Sequence, residues 1–142
     1  MILFRERLTP PPTFHLALLL LLPLSYGMFA PISVAVAASW AVLVFGVAEI
    51  WLFVLAPVVT VTETELIAGK ARISRSLLAD ARAITREDRR DAIHNALSWK
   101  LLRGWIPTGI TVTITDDADP TPYWFVSTRR PEELAALLNS AA

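Results

Sequence analysis

The order of apolar and polar positions splits this chain into two halves built on different periods. Residues 14–30 (FHLALLLLLPLSYGMFA) pass without an acid, Lys or Arg, and residues 32–55 form a second apolar run broken only by Glu49. A helix needs roughly 17–25 apolar residues to cross a hydrocarbon core, so both runs suffice. Only Pro31 separates them. Proline cannot continue a preceding helix but suits the first turn of the next one, which predicts a tight helical hairpin. Beyond Pro57 the period drops to two: Val59 and Val61 alternate with Thr60, Thr62 and Thr64. Residues 65–68 and 71–74 predict a hairpin turning at Gly69, and residues 77–84 a further strand. Ile110, Val112 and Ile114, alternating with Thr111, Thr113 and Thr115, give the cleanest strand, followed after an Asp- and Pro-rich turn by another over 123–128. Pro131, Glu132 and Glu133 open a helix whose Leu134, Leu137 and Leu138 share a face that should close over the sheet.

These elements predict an α+β membrane protein: an N-terminal stretch (1–13), two transmembrane helices (14–30 and 32–55) and a small antiparallel β-barrel or sheet domain with a C-terminal helix (57–142). The pattern leaves a split barrel, an α+β sandwich and a pleckstrin-homology-like (PH-like) barrel on equal terms.

Charge placement adds orientation. The chain carries 13 basic and 13 acidic residues, yet no Lys or Arg lies between Arg7 and Lys70. The zero net charge is thus an average over unlike halves. Arg5 and Arg7 precede the first helix, Lys70, Arg72 and Arg75 follow the second, and the turn has none. The positive-inside rule then predicts both termini in the cytoplasm and a multi-pass protein of the cell membrane. A cleaved signal peptide would share the basic start and Leu-rich core. Met28 fits its cleavage pattern poorly, residues 10–12 are all Pro, and a second apolar segment follows at once.

Candidate chemistry is sparse. Cysteine is absent and only His15 and His94 are present, so thiolate catalysis and Cys-based metal sites are excluded. No phosphate loop, paired catalytic acids or nucleophile and base can be assembled; the expectation is a non-enzyme with no cofactor and no metal. The triplet Asp116, Asp117 and Asp119 lacks the later Gly and distal Glu of a calcium loop and predicts a polar hairpin tip. In residues 85–96 Arg86, Arg89 and Arg90 interleave with Glu87, Asp88 and Asp91, which predicts a solvated segment opened by a capping-box-like Thr85 and Asp88, not a nucleic-acid patch. Trp99 and Trp105, with Lys100 and Arg103, read either as core or as a basic-aromatic segment on headgroups; core is favoured.

Four residues stand out as candidate contacts: Glu49, Trp105, Arg129 and Arg130. Glu49 is an acid at membrane depth, functional by default, unless it lies near the headgroups or is hydrogen-bonded to Tyr26, His15 or a neighbouring chain. Arg129 and Arg130 beside a helix start could accept carboxylate or phosphate, or could pair with Glu132, Glu133 or the 116–119 turn. Pro23 should kink the first helix. Ala35, Ala38, Ser39, Val42 and Gly46 make a small-residue face that would pack on the first helix or on a second copy.

Residues 119–138 (DPTPYWFVSTRRPEELAALL) resemble the C-terminal motif of an uncharacterised actinobacterial two-helix membrane protein family, a domain of unknown function. Arg5-Glu6-Arg7-Leu8, Glu65-Leu66, Gly69, Arg72-Ile73 and Arg103-Gly104-Trp105-Ile106 correspond as well. Residues 85–98 are shorter and more charged than that pattern. The layout also resembles bacterial PH-like domains that follow a pair of transmembrane helices. The resemblance implies no known reaction. The expected role is a non-enzymatic membrane-tethered interaction or scaffold module, the alternative an accessory subunit of a cell-envelope transport or biosynthesis complex. The expected partners are the lipid bilayer and a protein partner or a second copy.

Overall fold

A computed structural model describes residues 1–140. The chain forms two compact units, one from Met1–Leu8 with Pro57–Ala142 and one from Thr9–Ala56.

The helical unit contains α1 (Pro12–Leu18), α2 (Leu21–Phe29) and α3 (Val34–Val54). Where the sequence predicts one helix over 14–30, a turn at Leu19 and Leu20 separates α1 from α2. Pro23 accounts for it. The ring has no N–H to give and crowds the carbonyl of Leu19, four residues back, whose bonds go instead to Leu22 N–H at 3.1 Å. Pro31 lies in the interhelical turn, not in the first turn of α3, because Ser33 takes the capping position and its Oγ accepts from Val36 N–H. Both helical segments, Pro12–Phe29 and Val34–Val54, are long and apolar enough to cross a membrane.

Packing within this unit inverts the usual rule. α2 packs on α3, where Ala37 and Ala41 are buried, while Leu24 (71% exposed), Met28 (70%), Val42 (66%) and Ile50 (63%) face outward. Of the two packings open to the small-residue face, the one on the first helix is not taken: Ala35, Ala38, Ser39 and Val42 are exposed. The helices approach through Ala37 and Ala41 because those alanines admit the closest backbone approach on the side facing α2.

The strand-rich unit holds eight strands in two four-stranded sheets, ordered β1-β2-β3-β4 and β5-β7-β8-β6. The first comprises β1 (Ile2–Arg7), β2 (Val58–Thr62), β3 (Glu65–Ala68) and β4 (Ala71–Ser74). The strand over residues 2–7 lies in a segment the sequence reading left outside the domain. It runs antiparallel to β2, from Ile2 opposite Thr62 to Arg7 opposite Val58, and Leu8 N–H donates to Pro57 O at 2.9 Å. Phe4 and Leu8 turn inward, supplying apolar surface that residues 57–140 lack by themselves. At the β3–β4 turn Gly69 has φ +63°, a left-handed conformation that glycine adopts without a Cβ clash.

The second sheet comprises β5 (Leu78–Ile84), β6 (Trp99–Leu101), β7 (Gly109–Ile114) and β8 (Tyr123–Ser127), with α4 (Arg89–His94) between β5 and β6. Here the expectation of a wholly antiparallel sheet fails, since β6 pairs parallel to β8. The segment between β5 and β7 crosses to the far edge of β8, where the Trp99 ring lies 4.3 Å, centre to centre, from that of Trp124. At Gly109 a Cβ would come within 2.7 Å of the Phe125 ring and of Val126 O, so β7 and β8 approach as closely as they do only with glycine there.

Finally α5 (Pro131–Asn139) packs on β5, burying Leu134, Ala135 and Leu138. Asn139 exchanges two hydrogen bonds with the backbone of Ala81, 3.0 Å from its N–H and 2.9 Å from its carbonyl. This satisfies β5 where its pairing with β7 slips, beside Asp80 at φ 49°. Arg75 reaches from the first sheet to both Thr62 O (3.2 Å) and Leu137 O (2.6 Å), holding the last turn of α5. One core joins the two sheets and α5.

Candidate functional site

Two polar pairs, one in each unit, join elements far apart in the chain. In the helical unit the chain supplies one acid, Glu49 on α3, and one imidazole, His15 on α1. They meet, Nδ1 to Oε2, at 2.7 Å. Glu49 had several partners open to it in the sequence, and the geometry selects His15. The carboxylate side chain is 27% exposed and the imidazole 45%. A charged or neutral hydrogen bond between them links α1 to α3 across an otherwise apolar surface.

In the strand-rich unit the two ends of the chain clasp each other. The alternation that turns Phe4 and Leu8 inward also turns Glu6 inward, leaving its side chain only 9% exposed. Its carboxylate accepts a short hydrogen bond from Thr128 Oγ1 and a second from Arg129 N–H at 3.1 Å, with the Arg129 guanidinium 3.9 Å away. Arg130 completes the clasp. Its guanidinium donates to Arg5 O at 3.1 Å, pairs with Glu133 at 3.1 Å and lies 4.4 Å from the centre of the Phe4 ring. Arg129 and Arg130 are therefore tied to β1 and α5, and Arg130 takes the Glu133 partner that the sequence left open. The geometry brings these two together at β1, while Glu49 belongs to the helical unit and Trp105 is bound to Leu8 O.

Trp105 is half-buried against the core and its Nε1–H donates to Leu8 O at 3.3 Å. Thr85 Oγ1 donates to Asp88 Oδ2 at 2.8 Å, but the expected capping box does not form: α4 starts at Arg89, and its cap residue Asp88 makes no side-chain cap bond. In the 116–119 turn the Asp119 carboxyl is held below its usual range by hydrogen bonds from Thr121, whose N–H lies at 2.9 Å. Among the described residues no group of three or more His, Cys, Asp and Glu side chains is placed to hold a metal ion.

Glu6 and Thr128 went unmarked as site residues in the sequence. The signal was present: Phe4, Glu6 and Leu8 share a period of two, so a carboxylate stands in line with two inward apolar side chains and needs a partner. What period alone cannot supply is that residues 1–8 form a strand at all.

A family model described as "Protein of unknown function (DUF3093)" matches residues 3–138. No curated protein matches the chain, and no solved structure matches it. The matched span begins within β1 and ends within α5, so it takes in both halves of the clasp.

Proposed function

The chain belongs to the DUF3093 family, and on that premise we propose that it is a two-pass protein of the cell membrane whose strand-rich unit serves in the cytoplasm as a non-enzymatic interaction or scaffold module. The observation that carries this reading is the inverted packing of the helical unit. A core helix of a soluble protein buries its Leu, Val and Phe, whereas here Ala37 and Ala41 are inside and the large side chains outside. Hydrocarbon is the solvent that favours such a surface.

The strand pairing supports an even number of crossings. Because β1 and β2 are hydrogen-bonded neighbours, the chain before Thr9 and after Ala56 must lie on one side of any bilayer the insert crosses. The basic residues flanking the insert assign that side to the cytoplasm. A PH-like assignment draws support from two four-stranded sheets followed by a helix, and the parallel β6–β8 pair is where the chain departs from a simple antiparallel meander. The scaffold role rests on the residue inventory, in which both strongly paired polar groups serve packing. The second reading, an accessory subunit of an envelope complex, is favoured by the exposed Ala35, Ala38 and Ser39, a surface on which another helix could approach closely.

The test uses the absence of cysteine. Ile32→Cys, in the exposed interhelical turn, should react with a membrane-impermeant maleimide in intact cells, while Asp117→Cys should react only after lysis. The reverse pattern, or equal labelling of both before lysis, overturns the topology.

A further inference from the structure

The point where the chain leaves the strand-rich unit and returns to it is fixed by the hydrogen bond between Leu8 and Pro57 at 2.9 Å. Around that point the structure gathers particular residues. Arg7 occupies the last rung of β1, opposite Val58, and points away from the core side taken by Glu6 and Leu8. Gly69 N–H donates to Val58 O at 2.9 Å, which brings the β3–β4 turn, with exposed Lys70 and Arg72, beside the exit. Trp105 is hydrogen-bonded to Leu8 O, which brings Arg103 and exposed Gly104 to the same end.

The opposite end is rich in acids, one of which, Glu63, pairs with the Met1 ammonium at 3.3 Å. The β2–β3 turn carries Glu63 and Glu65, Arg75 N–H joins that turn through Thr64 O at 2.8 Å, and Thr115 N–H joins Leu77 O at 2.9 Å. The tip with Asp116, Asp117 and Asp119 follows directly. Of the acids near the exit, Glu6 is taken up by Thr128 and Arg129, and Glu87, Asp88 and Asp91 lie among Arg86, Arg89 and Arg90 of the α4 segment. Among the described residues neither Lys70 nor Arg72 is in an ion pair.

We propose that this end of the unit, with Lys70 and Arg72 beside the chain exit, is a binding surface for the headgroups of anionic phospholipids. The inference rests on the two-pass reading, which puts the exit point at the bilayer surface. Basic side chains at an anionic surface each strengthen binding roughly fivefold, and the acidic far end is repelled from the same surface, so the charge polarity sets which end of the unit meets the lipid.

The test places a fluorophore on Gly104→Cys, where a Cβ meets nothing within 4 Å, and separately on Asp117→Cys, in full-length chain reconstituted with a nitroxide-headgroup quencher. Vesicles are phosphatidylcholine alone, or with about a third phosphatidylglycerol. Quenching at position 104 should rise with phosphatidylglycerol and fall in high salt, while position 117 stays unquenched. Lys70→Gln with Arg72→Gln, two exposed turn-side substitutions, should lower the ratio of docked to undocked unit about 25-fold. Equal quenching at 104 in both lipids, or quenching at 117 matching that at 104, overturns the headgroup surface. Loss of the chain from the vesicles in an alkaline wash instead overturns the two-pass reading itself.

Discussion

The two units use the same apolar residues in opposite places. In the strand-rich unit Phe4, Leu8, Val59, Val61, Leu66 and Ile110 are inside, with Arg5, Arg7 and Thr113 out. In the helical unit small Ala37 and Ala41 are inside, and Leu24, Met28, Val42 and Ile50 are out. Burial of large apolar side chains stabilises the first unit because its surroundings are water. The second leaves them outside and is held by close backbone approach and one polar pair, the arrangement that the proposed membrane location calls for. The difference shows that hydrophobicity by itself does not say which side of an element faces its neighbour; the solvent does.

The sharpest way to break the comparison is to separate the units. Since Leu8 and Pro57 are hydrogen-bonded, replacing residues 9–56 by a short Gly-Asn-type turn should leave a strand-rich unit that is monomeric without detergent. Residues 57–142 alone should fail to fold. They lack Phe4 and Leu8, whose burial is worth about 2–5 kcal/mol each, together comparable to a small domain's whole stability. Circular dichroism with size-exclusion chromatography decides it. A cooperative melt from residues 57–142 alone would show that β1 is dispensable.

That first strand is also where the sequence was least legible. Both apolar runs, the Gly69 turn, β7, β8 and α5 follow from local period and turn chemistry, because each signal lies within the element it describes. The α1–α2 break was foreshadowed by Pro23. β1 is different: residues 2–7 carry the right alternation, but their partner is more than fifty residues away beyond three helices, and nothing local announces a pairing at that separation. The parallel placement of β6 was hidden for the same reason. Arg129 and Arg130 are visible in the sequence as charges beside a helix start, whereas Glu6, the acceptor of Arg129 N–H, becomes apparent only once β1 is a strand.

The clasp supplies the next largest effect. Glu6→Ala removes the acceptor from the buried Thr128 Oγ1 and from the exposed Arg129 N–H, where water can take its place. Leaving the Thr128 hydroxyl unpaired should cost the strand-rich unit about 1–3 kcal/mol. Pairing Glu6→Ala with Thr128→Val removes that donor but also the acceptor of Arg130 N–H at 3.1 Å, so the double variant should be no more stable than Glu6→Ala. Chemical denaturation of the unit relieved of its helical insert measures both. Equal stability of Glu6→Ala and the parent would mean that β1 is held by its apolar side chains alone.

The smallest expected effect belongs to the helical unit and bears most directly on its solvent. Hydrogen bonds between membrane helices are worth only about 0.6 kcal/mol on average and about 1.7 at most, because the separated helices also find partners. The His15–Glu49 pair should fall in that range by a double-mutant cycle of His15→Ala and Glu49→Gln on the full chain in detergent or bilayer. Each single change should loosen α1 against α3 without unfolding the strand-rich unit. A coupling near zero would mean that the pair is incidental to helix packing. A coupling of several kcal/mol would be larger than hydrocarbon surroundings allow for a half-accessible pair. It would point to a helix interface far more occluded than the exposed Leu, Val and Ile side chains around it indicate.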